Sequence, residues 1–178
     1  MPKGKGLIRS LNRQGTRPDK TPRGAVKAAP LADPTVCQRC GAIYAHRTWR
    51  RNHKATMALF DRAAWTVCPG CQQVEAGQYF GRVLIRGAYA LANETTLRQR
   101  IRNVDARARV TQPERRVISV AREGAVLEVL TTSQKLAHRI VHELKKAFRG
   151  RAAYHWSDDD GSLIATWQRD DAPPARAR

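Results

Sequence analysis

Aromatic residues make up only 6% of this 178-residue chain, and hydrophobic residues of all kinds 42%. That is little for a fully packed globule, so part of the chain is expected to lie outside any core, with room for one or two small domains. Long apolar runs are missing. Nothing approaches the ~18 residues of a membrane-spanning helix, and there is no strongly apolar amphipathic anchor, so no membrane partner is expected. The basic opening, Met-Pro-Lys-Gly-Lys-Gly, is followed by no apolar stretch, which argues against a secretory signal. Its Gly and Pro residues argue equally against the amphipathic helix of a mitochondrial presequence. A cytoplasmic monomer is the expectation.

Catalytic signatures are also missing. There is no Gly-rich phosphate loop, no nucleophile elbow and no spaced carboxylate pair. Asp158, Asp159 and Asp160 are consecutive, so on a turn they point apart, and the alternating oxygens of a calcium loop are absent. Neither an enzyme nor a small-molecule substrate is expected. Acid in general is scarce: 15 Asp and Glu stand against 33 Lys and Arg, a formal net charge of +18. So positive a balance calls for a polyanionic partner, most directly nucleic acid.

Cysteine is rare but organised. All four occur as two CxxC pairs, Cys37-Gln38-Arg39-Cys40-Gly41 and Cys68-Pro69-Gly70-Cys71, with 27 residues between them. Two intervening residues let both thiolates of a turn face one ion, and a second such turn completes the tetrahedral sulfur shell of a structural zinc. Gly41 suits the tight knuckle after the first pair. Cys37, Cys40, Cys68 and Cys71 are therefore expected to hold one zinc ion in a zinc-ribbon or treble-clef-like module. Four thiolates also suit an iron–sulfur cluster. A thioredoxin-like redox site has a single reactive pair in a βαβ context, and no strand-like run precedes either pair here. Reduced, metal-held thiols fit a reducing compartment. A closed four-sulfur shell leaves the metal no open position, so its role is structural.

In residues 1–32, eight cations including Arg9, Arg13 and Arg17 face only Asp19, with Gly and Pro throughout. The segment is expected to be disordered alone and either to order along phosphates or to act as a solubilising tail. The metal module covers 33–75. Between its cysteine pairs, Arg47, Arg50, Arg51 and Lys54 lie beside Trp49 and Tyr44, the mix of cations and flat rings that RNA binding uses. The alternative places Trp49 in the core with the arginines merely solvated. A short helix is expected to pack Phe60 and Trp65 on the metal knuckles. His46 and His53 are expected not to be ligands.

From 76 to 169 the periodicity predicts strand (78–86), helix (88–108), two hairpin strands (116–121 and 125–131), a helix capped by the Thr131-Thr132-Ser133 run, and a final hairpin (152–156 and 163–168). Leu97, Ile101, Val104 and Ala108 form the inner face of the first helix. Arg98, Arg102 and Arg109 share a stripe with Asp105 that is either a solvated face or a phosphate contact. Leu136, Ile140, Val141, Leu144 and Phe148 form the inner face of the second. The order βαββαβ, with one further strand, matches the ferredoxin-like split, so the fold class is α+β: a small metal module followed by a ferredoxin-like domain. Residues 170–178 are expected to be frayed.

The two cysteine pairs, the run from Thr131 through His138-Arg139-Ile140 to Leu144-Lys145-Lys146-Ala147-Phe148-Arg149-Gly150, and the Tyr154-His155-Trp156 strand carry a likeness to a family. Over residues 35–168 the chain resembles the N-terminal part of the archaeal and eukaryotic large-subunit export adaptor (nonsense-mediated decay protein three) family, and more closely a group of short bacterial proteins related to it. The resemblance implies zinc on the cysteines and binding to the ribosome and its rRNA, on the large subunit, without catalysis. It departs from the longer relatives in having a single four-cysteine set and no later domains. The competing function classes are a DNA-binding zinc-ribbon regulator and a protein–protein adaptor.

Overall fold

A computed structural model describes residues 30–157 and 161–171. The expectations for the basic segment up to residue 29, for Asp158–Asp160 and for residues 172–178 lie outside the described residues. From Ala32 onward the chain forms one compact unit containing two sheets.

The first sheet contains β1 (Thr35–Cys37), β2 (Ile43–Ala45), β3 (Thr48–Arg50) and β4 (Ala64–Thr66) in the order β3-β2-β1-β4. Neighbours are antiparallel except for β1 and β4, which run parallel. Two short helices belong to this region: α1 (Met57–Phe60) and α2 (Pro69–Glu75). A strand thus leads into each cysteine pair, contrary to the sequence reading. Three residues are too few for a strand's alternation to register, and these two persist because the sheet pairs them.

The second sheet contains β5 (Gly81–Arg86), β6 (Val117–Glu123), β7 (Val126–Thr131), β8 (Arg151–Trp156) and β9 (Leu163–Gln168), in the order β6-β7-β5-β9-β8. Helices α3 (Ala88–Ala92), α4 (Glu94–Thr111) and α5 (Gln134–Phe148) complete the five found among the described residues. The expected single helix over 88–108 is broken at Asn93, whose backbone leaves the helical region (φ −123°, ψ 26°) and whose side-chain amide donates to the Tyr89 carbonyl. The expected helical faces hold: Leu97, Ile101, Val104 and Ala108 of α4 and Leu136, Ile140, Val141 and Leu144 of α5 are buried with Val83, Ile85 and Val129 of the sheet. Ser133 caps α5, its hydroxyl accepting from the Leu136 amide at 3.3 Å, which satisfies one otherwise unpaired donor.

In the four-stranded ferredoxin split, the strand after the second helix would lie antiparallel beside the first. Here that place is held by β9, parallel to β5, and β8 is displaced to the edge. Apolar content explains the exchange. The inward residues of β9 are Leu163, Ala165 and Trp167, all fully buried, whereas those of β8 are Ala152, Tyr154 and Trp156, only partly buried. The more apolar strand takes the interior. Trp167 is anchored there by its indole N–H, which donates to the Arg149 carbonyl at 2.8 Å.

Candidate metal centre and cationic surface

The first cysteine pair lies in the turn joining β1 to β2. Gly41 has φ +67°, the left-handed conformation expected of it, and donates to the Cys37 carbonyl while the Cys37 amide donates to Ala42. The second pair straddles the start of α2, with Cys68 as N-cap, Pro69 in the first turn and Cys71 one turn in. The four sulfurs lie within 4.8 Å of one another. Cys37 Sγ to Cys71 Sγ is 3.8 Å and Cys40 Sγ to Cys68 Sγ is 3.7 Å, far beyond a disulfide's ~2.05 Å. A tetrahedral ion with metal–sulfur bonds of about 2.3 Å has edges of about 3.8 Å, so the cluster has the size and composition to hold one metal ion.

The acid–base character of the thiols points the same way. Burial opposes the Cys37 thiolate, but backbone amides of Cys68, Cys40 and Arg39 and the Cys40 thiol outweigh it and hold this thiol at about 6. The Cys68 amide is 3.3 Å from the Cys37 sulfur. Burial pushes the Cys68 and Cys71 thiols up. Four sulfurs this close ionise together only when a cation shares the space.

Arg116, which precedes β6, reaches into this centre from the second sheet. It is only 7% exposed. Its Nη1 donates to Cys71 Sγ at 3.2 Å, its Nε to the Pro113 carbonyl at 2.8 Å and its amide to Thr132 Oγ1 at 2.8 Å. Burial works against the guanidinium charge, but attraction to the Cys71, Cys40 and Cys68 sulfurs outweighs it and raises its pKa. With a dication and four thiolates the site would carry a net −2, which Arg116 reduces. Nothing in the sequence distinguishes Arg116 from its fellow arginines, so the reading from sequence missed it.

Three further contacts join the metal sheet to the rest of the fold. Gly70 lies so close to the 113–114 backbone that a Cβ there would come within 2.6 Å of the Glu114 Cα. Gln73 donates to the Thr132 carbonyl at 2.8 Å, and the Arg51 amide donates to the Val110 carbonyl of α4 at 3.0 Å. The edge strand β3 is thereby held against α4.

That edge carries Arg47, Arg50, Arg51 and Lys54. All four are exposed, and their side chains have no acidic partner among the described residues. No acid occurs between Cys37 and Asp61. The β2–β3 hairpin turns on two residues, His46 and Arg47, with φ +51° and +62°. Two consecutive positive φ values match a type I′ turn, usually built from Asn and Gly, and cost roughly 1–2 kcal/mol per ordinary residue. The Asp33 carboxylate accepts from the His46 amide at 2.8 Å and helps hold the turn.

Of the two tryptophans of the module, Trp49 stands nearer the core alternative and Trp65 departs from expectation. Trp49 is partly buried, packed on the cysteine cluster and tilted against Tyr44 at 5.4 Å. Trp65 is not on the knuckles but in the edge strand β4. It is 53% exposed and stacked with Phe60 at 6.2 Å. Pairing with β1, not a helical stripe, sets the direction of Trp65.

On α4 the expected arginine stripe divides. Arg98 is tied to Glu94 at 2.7 Å and to the Val120 carbonyl, and Arg109 to Asp105 at 2.6 Å, while Asp105 also accepts from the Val117 amide. These two brace the fold. Arg102 is exposed, with only Gln99 as partner among the described residues. Arg9, Arg13 and Arg17 lie outside the described residues. Neither His46 nor His53 joins a metal-ligating cluster, and the cysteines form the only such group among the described residues. No described helix is long and apolar enough to cross a membrane.

Fold and site together define a mixed α+β protein with a four-cysteine centre able to bind one metal ion. No protein-family model, curated protein or solved structure matches the chain.

Proposed function

We propose that the protein is a non-catalytic, zinc-containing factor that binds ribosomal RNA on the ribosome. The observation that carries the reading is the β3 edge: Arg47, Arg50, Arg51 and Lys54, unpaired by any described acid, on a hairpin held in a costly conformation beside a four-cysteine centre. Zinc is the metal because four thiolates of tetrahedral size, closed and without an open position, suit a structural ion. The knuckle-plus-helix placement of the ligands is that of a treble-clef site. The larger sheet is read as a ferredoxin-like split into which β9 has been inserted. Exposed Trp65 adds a ring for an unpaired base. The large subunit is the favoured docking partner, on the strength of the resemblance to the large-subunit export adaptor family, and a cytoplasmic location is part of the same proposal.

Co-sedimentation tests the reading. The full chain should travel with ribosomal particles at low salt, be released by RNase, and leave the particles steeply as salt rises, by about 0.7–0.9 log units per log of salt for each phosphate neutralised. Binding that survives RNase would identify a protein adaptor instead, and a flat salt profile would overturn the proposal.

A further inference from the structure

The outer face of α5 lies apart from the metal sheet and was not among the sequence-predicted contacts. Its inner face is buried and one flank faces α4, where Glu143 receives Arg100 at 2.7 Å and Arg107 at 3.8 Å. Every large side chain left to solvent is basic or imidazole: Lys135, His138, Arg139, His142, Lys145 and Lys146, followed directly by Arg149. The spacing is helical, since 135 and 142 lie seven apart and 139 and 146 do the same, so the stripe runs for about 17 Å from Lys135 to Lys146 at ~1.5 Å per residue, and Arg149 follows past the end of the helix with φ +60°. Glu143, the one acid of α5, is already engaged by two arginines. Among the described residues no acid pairs with Arg139, Lys145, Lys146 or Arg149.

We propose that this stripe binds the sugar–phosphate backbone of base-paired RNA, as a second contact face beyond the β3 edge; the inference rests on the nucleic-acid reading above. Charge complementarity sets the class of occupant: a row of cations with no interspersed acid matches a row of phosphates. A membrane is disfavoured because the apolar side of α5 is spent in the core and its outer face exposes no large hydrophobe. A single strand is disfavoured because its bases need broad rings to stack on, and the face offers no Phe, Tyr or Trp: His138 is itself stacked on Tyr154 at 4.8 Å, which leaves only the small imidazole of His142. A duplex stacks its bases internally and meets a protein mainly through phosphates, 2′-hydroxyls and shape, which is how duplex RNA is recognised.

The test uses the full metal-loaded chain, a blunt RNA duplex and an unstructured single strand of equal length, with affinity measured across a potassium chloride series. Replacing Arg139, Lys145, Lys146 and Arg149 together by Gln should make the duplex salt slope shallower by about 3–4. The wild-type-to-variant affinity ratio should then be on the order of 10²-fold larger at 50 mM than at 200 mM salt. The single-strand slope should change by less than about one. The charge-preserving pair Arg139→Lys and Arg149→Lys should keep the duplex slope, which separates a charge effect from damage to the helix. An unchanged duplex slope, an equal loss on the single strand, or displacement of the duplex by polyglutamate at equal charge concentration would overturn the proposal; the last would indicate an acidic protein as occupant. If the wild-type chain binds neither RNA at low salt, it is the nucleic-acid reading itself that fails.

Discussion

Replacing Arg116 with Met tests whether the metal centre and the larger sheet act as one structure. Met roughly keeps the side chain's volume but removes the donors to Cys71 Sγ and to the Pro113 carbonyl, and the only positive charge hydrogen-bonded to the sulfurs among the described residues. Removing one member of a buried charged pair costs about 3–5 kcal/mol. Part of that loss is specific to the metal-bound state, because only then are all four sulfurs thiolates. Loss of an outer-shell partner typically lowers metal affinity by about 10–100-fold, equivalent to about 1.4–2.7 kcal/mol. The remaining ~2 kcal/mol belongs to the orphaned Pro113 carbonyl and is felt with or without metal. At about 3 °C per kcal/mol for a unit of this size, the melting temperature should fall by about 9–15 °C in the metal-bound protein and by about 6 °C in the metal-free one. Affinity is read by competition with a chromophoric chelator at pH 7, and stability by calorimetry with and without EDTA. Arg116→Lys, which keeps the charge but not the planar two-way donor, should fall between wild type and Met. Metal affinity within threefold of wild type, together with equal melting losses in both states, would refute the coupling.

Gly70→Ala should lower stability by about 1–3 kcal/mol, because its Cβ would meet backbone at Glu114 and Pro113 that no rotamer change can move; a melting temperature equal to wild type would mean that the metal sheet is not held there. Metal uptake at pH 7 should release at least two protons, from the Cys68 and Cys71 thiols that burial keeps protonated. Cys37, held at about 6, is ionised in the metal-free protein above that pH, so below pH 6 the count should rise by one and affinity should fall more steeply with acid. Calorimetric titration in buffers of different ionisation enthalpy counts the protons, and release of fewer than two at pH 7 would contradict the assignment.

Much of the core could be read from the chain because its signals are local. The steps of four, three and four residues through Leu97, Ile101, Val104 and Ala108, and the run ending in Leu144, are helical periodicity that burial then used without change. The cysteine spacing likewise encodes a cluster that both knuckle and helix N-terminus can satisfy. What escaped depends on partners distant in sequence. The β9 insertion follows from competition between Trp167 and Tyr154 for the interior, a comparison of two strands that neither makes alone. Arg98, Arg102 and Arg109 share a stripe with Asp105 in the sequence, but which cation Asp105 holds, and that Glu94 ties Arg98, is decided only when the folded helix sets the side chains one turn apart. Trp49 and Trp65 could not be assigned by composition, since either ring could cover four sulfurs; the β2–β3 register gave the place to Trp49.

Under the proposed reading, the same contacts would let a structural metal ion matter to RNA binding. Arginines on a free loop would lose about 0.5–1.5 kcal/mol of side-chain freedom each on meeting a phosphate, besides the ordering of the loop itself. On β3 the ordering is done in advance: the hairpin is strained but held by Asp33, the strand is bonded to α4 through Arg51 and Val110, and the sheet is fixed to the larger domain through Gly70 and Arg116. Helix α4 also packs on α5, so the β3 edge and the α5 stripe flank one rigid element. A short oligonucleotide reaching only one of these faces meets only part of the unpaired charge. A folded RNA that reaches both gains from each at little further entropic cost, since the first contact has already fixed the second face in place. On this argument the metal centre sets the spacing between the cationic faces and leaves recognition to the arginines and lysines themselves.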